Sequence, residues 1–317
     1  MTFLALTGGV GGAKLALGLS RILPDKALAI VANTGDDFEH LGLRICPDLD
    51  TVMYTLADMS NKELGWGLAG ETWHFMAAME RLGGETWFRL GDQDLATHHY
   101  RTRQLQSGKS LSEVTAQLCQ RLGVRHLLFP MTNDPVGTRV RLQAGGELAF
   151  QHYFVRDRCE PVVSGFEFSG LSAARCSSAF ADALERTDAA FIICPSNPFV
   201  SVAPLLSLDN VAARMKDRGL PVVAVSPIIG GQAIKGPAAK MMAELGMPQS
   251  ALAVASYYAD QFPGLLTHFV LDNADASLEA GVRALGLEVL VTNTFMQTLS
   301  HREQLARAII TWLGAGV

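Results

Sequence analysis

The sequence predicts the α/β class: a mostly parallel sheet with helices on both faces. Three observations carry this expectation. Short apolar runs that end in glycine-rich or polar loops recur along the chain, the first being Phe3–Leu6 ahead of Gly8-Gly9-Val10-Gly11-Gly12. Helix-period segments separate these runs, as Ala13–Arg21 separates Phe3–Leu6 from Ala27–Ala32. Unbroken apolar runs such as Ala189–Cys194 suit strands covered on both faces. Together they describe a Rossmann-like architecture.

The opening βαβ unit turns at Pro24-Asp25. Its first loop places glycine at 8, 9, 11 and 12, which permits positive φ and close backbone approach. Gly9, Gly11, Gly12 and Lys14 are therefore candidate phosphate ligands at a helix N-terminus. The competing reading is a turn that merely lets helix and strand pack closely. Neither familiar phosphate motif fits. A P-loop needs glycine before its lysine and Ser or Thr after it, where Ala13 and Leu15 flank Lys14. The dinucleotide motif needs glycine where Lys14 stands and an acidic residue where Asn33 closes strand two.

Strand two runs into the densest polar segment, Asn33 to Thr51. Asp36, Asp37, Asp48 and Asp50 fall within fifteen positions and repel one another unless something neutralises them. Hard oxygen donors of this kind suit Mg²⁺, so all four are candidate metal ligands. Asx-turns and helix caps, for example Asp50-Thr51 ahead of Val52, are the plainer alternative.

Residues 51–122 read as helical, with segments Val52–Met59, Glu71–Leu82 and Leu111–Leu122. They form a helical insertion within one Rossmann-like domain spanning 1–317. Inside the insertion, Trp87 and Phe88 suit stacking on a flat ring, and Arg89, Arg101 or Arg103 suit phosphate. His98 and His99 point about 100° apart on a helix and do not easily share a metal. A salt-bridged structural helix is the alternative for this stretch.

Strand three, His126–Phe129, ends in a polar loop containing Asn133. A small antiparallel β-hairpin follows, with Thr138–Leu142, Leu148–Phe150 and Gln151–Val155 as its extended pieces. Ala189–Cys194 ends in Pro195-Ser196-Asn197-Pro198. Helix Val211–Arg218 and strand Pro221–Val225 lead to Ser226–Pro237, where Gly230, Gly231 and Lys235 precede helix Ala238–Leu245. This loop reads as a second anion cradle, with a generic βα loop as the alternative. His268–Leu271, helix Ala276–Leu285, strand Leu287–Val291 and helix His301–Leu313 complete the sheet.

Bulk properties narrow the function. At 317 residues and 49% hydrophobic, the chain can build a large core. A net charge of −5 without a basic run disfavours nucleic acid as a partner. No apolar stretch reaches about 18 residues, which disfavours a membrane span. Five scattered cysteines without a C-x-x-C pair point to reduced thiols and a cytoplasmic protein.

Five motifs occur in order: Gly8–Leu15, Asn33–Asp37, Cys46–Thr51, Leu90–His98 and Ser226–Gly236. In this the chain resembles the CofD family, the 2-phospho-L-lactate transferases of coenzyme F420 biosynthesis. The resemblance runs nearly end to end. It implies a phosphotransferase for substituted phosphate groups. The ribitol hydroxyl of the deazaflavin Fo attacks a guanosine diphospho-donor bearing lactate, enolpyruvate or 3-phosphoglycerate, and GMP leaves. It further implies dependence on Mg²⁺ and a homodimer.

By the matching motifs, Asp50 and Arg89 are the expected Fo contacts, joined by Trp87, Phe88 and His98. Asp50 or Asp37 is expected to accept the ribitol proton. The Gly9–Gly12 and Gly230–Gly231 loops, with Lys14 and Lys235, are expected to hold phosphate. Asn133, Ser196 and Asn197 are expected to bond guanine or ribose. The YvcK-like nucleotide-sugar-binding regulators share the glycine opening and are the alternative. They are not expected to carry Cys46–Thr51 together with Leu90–His98.

Overall fold

The computed structural model describes residues 1–234 and 236–314. β1 (Phe3–Thr7), α1 (Val10–Ile22) and β2 (Leu28–Ala32) open the chain. Two short strands, β3 (Phe38–His40) and β4 (Leu43–Ile45), pair antiparallel and lead into α2 (Pro47–Leu56). α3 (His74–Arg81), α4 (Asp92–Gln106) and α5 (Leu111–Arg121) follow before β5 (Leu127–Pro130) rejoins the sheet. β6 (Gly137–Leu142), β7 (Glu147–Ala149) and β8 (Val163–Ser169) form a separate antiparallel sheet in the order β7-β6-β8.

The second half resumes with α6 (Ser178–Arg186), β9 (Ala190–Ile193), α7 (Ala203–Ser207), α8 (Val211–Asp217) and β10 (Val222–Val225). A tight hairpin, β11 (Ile228–Ile229) and β12 (Gln232–Ala233), precedes α9 (Ala238–Glu244) and α10 (Ala251–Gln261). β13 (His268–Asp272), α11 (Glu279–Arg283), β14 (Glu288–Thr292) and α12 (Leu299–Trp312) close the fold.

Among the described residues, the main sheet has seven strands in the order β14-β13-β10-β9-β1-β2-β5, all paired parallel. From β1 the chain steps outward through β2 to β5, then returns to β9 and steps the other way. The reversal lies between β1 and β9, where an open α/β sheet leaves a crevice beyond its strand ends.

The unbroken apolar runs are explained by two cores. On β1, Leu4 and Leu6 join one core, while Phe3 and Ala5 join the other. β9 divides likewise, Phe191 and Ile193 against Ala190 and Ile192. A strand alternates faces, so both of its faces are dry here.

Some elements differ from the sequence expectation. Gln151–Val155 is not a third hairpin strand; His152–Arg156 forms a π-helical turn. Its apolar residues follow helical spacing instead of alternation. Phe150 and Tyr153 are both buried, and the Phe154 ring stacks on Phe150 with centroids 5.5 Å apart. β8 was not expected, yet it pairs with β6 across Arg139 and Glu167. Nor were α6 and α10, which begin at Ser177 and Ser250, side chains that accept from Phe180 N and Ala253 N. The expected helix over 276–285 begins as a 3₁₀ turn, Asn273–Leu278, because Asp272 caps Ala274 N.

Candidate active site

A cavity of about 560 Å³ opens over the strand ends at the β1–β9 reversal. Gly9, Val10, Gly11 and Lys14 form its floor after β1, and Pro195, Ser196 and Asn197 reach it after β9. Asp36 enters from the β2 loop, Asp48 and Thr51 from α2, and Thr294 and Met296 from beyond β14.

The glycines divide between the two readings offered for them. A Cβ on Gly12 would lie 2.0 Å from Thr7 Oγ1, and one on Gly11 would lie 2.3 Å from the Pro195 carbonyl oxygen. Gly12 does not line the cavity; it lets α1 pack against β1 and Ser196. Gly9 faces the cavity side, and its Cβ would meet Asp48 Oδ1 at 2.8 Å. No side chain caps α1, and no acidic residue sits in its first turn. The early N–H groups of α1 have no intrahelical acceptor and offer positive partial charge to the cavity.

Of the four aspartates, the structure brings two together at the cavity. Asn33 Nδ2 donates to Asp48 Oδ2 at 3.0 Å, which fixes that carboxylate over the glycine floor. Burial pushes Asp48 up to about 7, against the Asn33 hydrogen bond. Burial, and then the Asp48 charge, hold Asp36 well above the usual carboxylate range. Asp36 Oδ1 is buried without a hydrogen-bond partner. Two buried carboxylates that repel each other and offer only oxygen atoms fit a hard divalent cation such as Mg²⁺.

Asp37 and Asp50 are placed elsewhere. Asp37 pairs with Arg44 at 3.2 Å, does not line the cavity, and is pushed up to about 6 by burial, which outweighs the Arg44 charge. Asp50 is on α2 with its side chain on a face away from the cavity, where Arg101 grips both carboxylate oxygens. His98 Nδ1 is 3.6 Å from Asp50, and its Nε2 is 3.3 Å from Asp94, which accepts from the Tyr54 hydroxyl at 2.6 Å. Burial alone would lower the Arg101 pKa, but the Asp50 charge raises it on balance. Asp50, Asp94 and His98 lie close enough to share a cation. The Arg101 guanidinium already engages two of the three, Asp50 and, at 3.2 Å, His98 Nδ1. His98 and Asp50 accordingly do not reach the cavity.

Aromatic side chains build the β2 flank. Trp87, Phe88 and Arg89 line the cavity, and Phe38 of β3 backs them, with its ring 5.9 Å from Trp87 and 4.9 Å from Phe88. The Arg89 guanidinium stacks on Trp73 at 4.4 Å. Trp66, Phe150 and Phe154 complete the apolar lining and were not anticipated from sequence. Trp66 stands between Gly65 and Gly67 in a loop, a large ring with no element to bury it. Phe150 and Phe154 carry the i,i+4 signal described above.

The other expected residues separate by their bonds. Ser196 lines the cavity and accepts from Gly8 N at 3.0 Å. Asn197 lines it too, while its Oδ1 caps a second π-helical turn, Pro198–Val202, through Phe199 N. Asn133 does not line it; its Oδ1 accepts from Ser112 N and Oγ at the start of α5. Gly230 and Gly231 are not lining residues either. Their φ values of 55° and 79° serve the β11–β12 turn, and Gly230 N donates to Asp275. Lys235 lies outside the described residues.

Residues 3–294 match the family described as 2-phospho-L-lactate transferase CofD. A Streptomyces coelicolor protein named phosphoenolpyruvate transferase is 39% identical, with 98% of each chain covered. Proteins named 2-phospho-L-lactate transferase from Methanosarcina mazei and Methanocaldococcus jannaschii are 36% and 35% identical; the first match covers 96% of this chain and 98% of the other, the second 98% and 97%. A solved Bacillus halodurans structure of the UPF0052 family shares the fold, with a TM-score of 0.67 at 11% identity over 98% of each chain. Among the described residues no helix is long and apolar enough to cross a membrane. The chain belongs to the CofD family and is a transferase.

Proposed function

We propose that the protein acts in coenzyme F420 biosynthesis, transferring a phosphoryl-linked three-carbon acid from a guanosine diphospho-donor to the ribitol hydroxyl of Fo. The observation that carries this reading is the cavity's division. An uncapped helix N-terminus meets the Asp36–Asp48 pair in its lining, and an aromatic wall of Trp66, Trp87 and Phe88 stands on one flank. A diphosphate suits the first and a tricyclic ring the second.

Asp36 and Asp48 would hold the Mg²⁺, which when bound neutralises diphosphate charge and favours departure of GMP. In the transfer, the ribitol oxygen forms a bond to the acid-bearing phosphorus, and the bond from that phosphorus to the GMP phosphate oxygen breaks. The hydroxyl proton passes to Asp36, whose Oδ1 has no hydrogen-bond partner within the protein. This role moves from Asp50 and Asp37, which are engaged by arginines. The N–H groups of Gly9, Val10 and Gly11, with Lys14, orient the donor phosphates for in-line attack. Ser196 and Asn197 bond the nucleoside, on the β10–β14 side of the glycine floor.

Fluorescence titration with Fo and thermal stabilisation by GDP with Mg²⁺ test the reading. Binding of both is expected. Stabilisation by UDP-sugars with no response to Fo would instead support a regulatory binding protein. Product mass after Fo is supplied with each of the three guanosine donors identifies the acid, and size-exclusion chromatography with light scattering tests the proposed homodimer.

A further inference from the structure

We propose that Asp275 is a positioning residue for donor binding, its carboxylate latching the β11–β12 hairpin that walls the β10–β14 side of the cavity. The proposal rests on the reading above that the donor nucleoside lies on that side.

A hairpin with two residues per strand cannot hold its own shape in water. This one is fastened at both ends. At its root, Ser226 Oγ accepts from Ile228 N at 3.1 Å and donates to the Ile228 carbonyl at 2.8 Å. At its tip, Gly230 N donates to both Asp275 oxygens, at 3.0 and 3.2 Å. Asp275 comes from 45 positions away, on the 3₁₀ turn after β13, and is only 5% exposed. A buried hydrogen bond to a carboxylate is among the stronger ones a backbone amide makes.

The hairpin and its exit supply Ile229, Ile234, Gly236 and Pro237 to the cavity, whereas Asp275 does not line it. Asp275 therefore acts through the hairpin, setting how far this wall stands from Asn197 and Thr294. Asp36 and the Trp87–Arg89 segment lie on the β2 side and are held independently of it. Loss of the latch should affect one ligand and spare the other.

The test compares Asp275→Ala and Asp275→Asn with wild type by backbone hydrogen exchange, GDP affinity and Fo affinity. Asp275→Ala should speed exchange across residues 229–233 and weaken GDP binding about tenfold, with Fo affinity unchanged within about twofold. Asp275→Asn retains an acceptor oxygen and should stay within about threefold of wild type for GDP. Unchanged GDP affinity in Asp275→Ala, or an equal loss for GDP and Fo, overturns the proposal. Failure of wild type to bind GDP would overturn the donor reading itself, an outcome seen without either variant.

Discussion

Arg101 and Asp50, fifty-one positions apart, meet as a two-pronged ion pair behind α2, with Nη1 3.0 Å from Oδ2. Both side chains are buried, so neither charge has water to fall back on. α2 also carries Asp48 and Thr51 to the cavity, and the pair therefore fixes the rear of a helix whose front is chemical.

Removing one partner strands the other. Arg101→Met should cost about 3–5 kcal/mol, read as a lower urea midpoint with an unchanged slope. Adding Asp50→Leu to that variant should restore most of the loss, because the orphaned carboxylate goes with it. A double variant no more stable than the single would refute this account.

Asp36 presents the opposite balance. It is buried beside Asp48 with one oxygen unpartnered, so its charge costs stability. Asp36→Asn should melt no lower than wild type, yet transfer should fall by at least about 100-fold. Stabilisation by Mg²⁺ in a thermal scan should disappear with it.

Gly12 and Gly9 separate packing from ligand binding. Gly12→Ala forces a methyl against Thr7 and Ser196 and should cost about 1–3 kcal/mol in chemical denaturation. Gly9→Ala presses only on the Asp48 carboxylate. It should be the milder change in stability and the greater in the Mg²⁺ concentration required for activity.

His268 gives a pH dependence. Burial lowers its pKa, with Glu288 opposing, while its ring packs on Trp312 and its Nδ1 meets Thr267 Oγ1. The unfolded state then binds the proton more readily than the folded state. The stability is fully present above the unfolded pKa of about 6.5 and is lost as pH falls through it towards the lower folded value. His268→Gln should show a smaller drop in melting temperature than wild type between about pH 7.5 and pH 5.5. An identical drop would refute it. His40 and His152 shift in the same direction, so the variant should keep part of the slope.

The parallel sheet was legible because its strands are dry on both faces, and Ala189–Cys194 has no other reason to lack polar residues. The glycine floor was legible as a residue type at a strand end, and Trp87 and Phe88 as rings within the insertion; Trp66, Phe150 and Phe154 were not. The division of labour among the aspartates was not. Asp36 and Asp37 are neighbours in sequence, and only the turn of the β3–β4 hairpin, which brings Arg44 back to Asp37, decides which is neutralised internally. Likewise, Gly230-Gly231 looks the same whether its amides face a phosphate or, as here, Asp275. Sequence shows a supply of donors and charges; the partner that claims each one is set by the fold, from seven positions away for Asp37 and from 45 for Gly230.

The two π-helical turns, His152–Arg156 and Pro198–Val202, both border the cavity. Each is an α-helical turn carrying one surplus residue. Deleting that residue would rewind the turn and rotate every side chain after it by about 100° around the axis. Phe154 and Val155 on one side, and Val200 and Ser201 on the other, would swing out of the lining. A one-residue change in length at either turn would thus re-aim part of the cavity wall without altering any lining residue's identity.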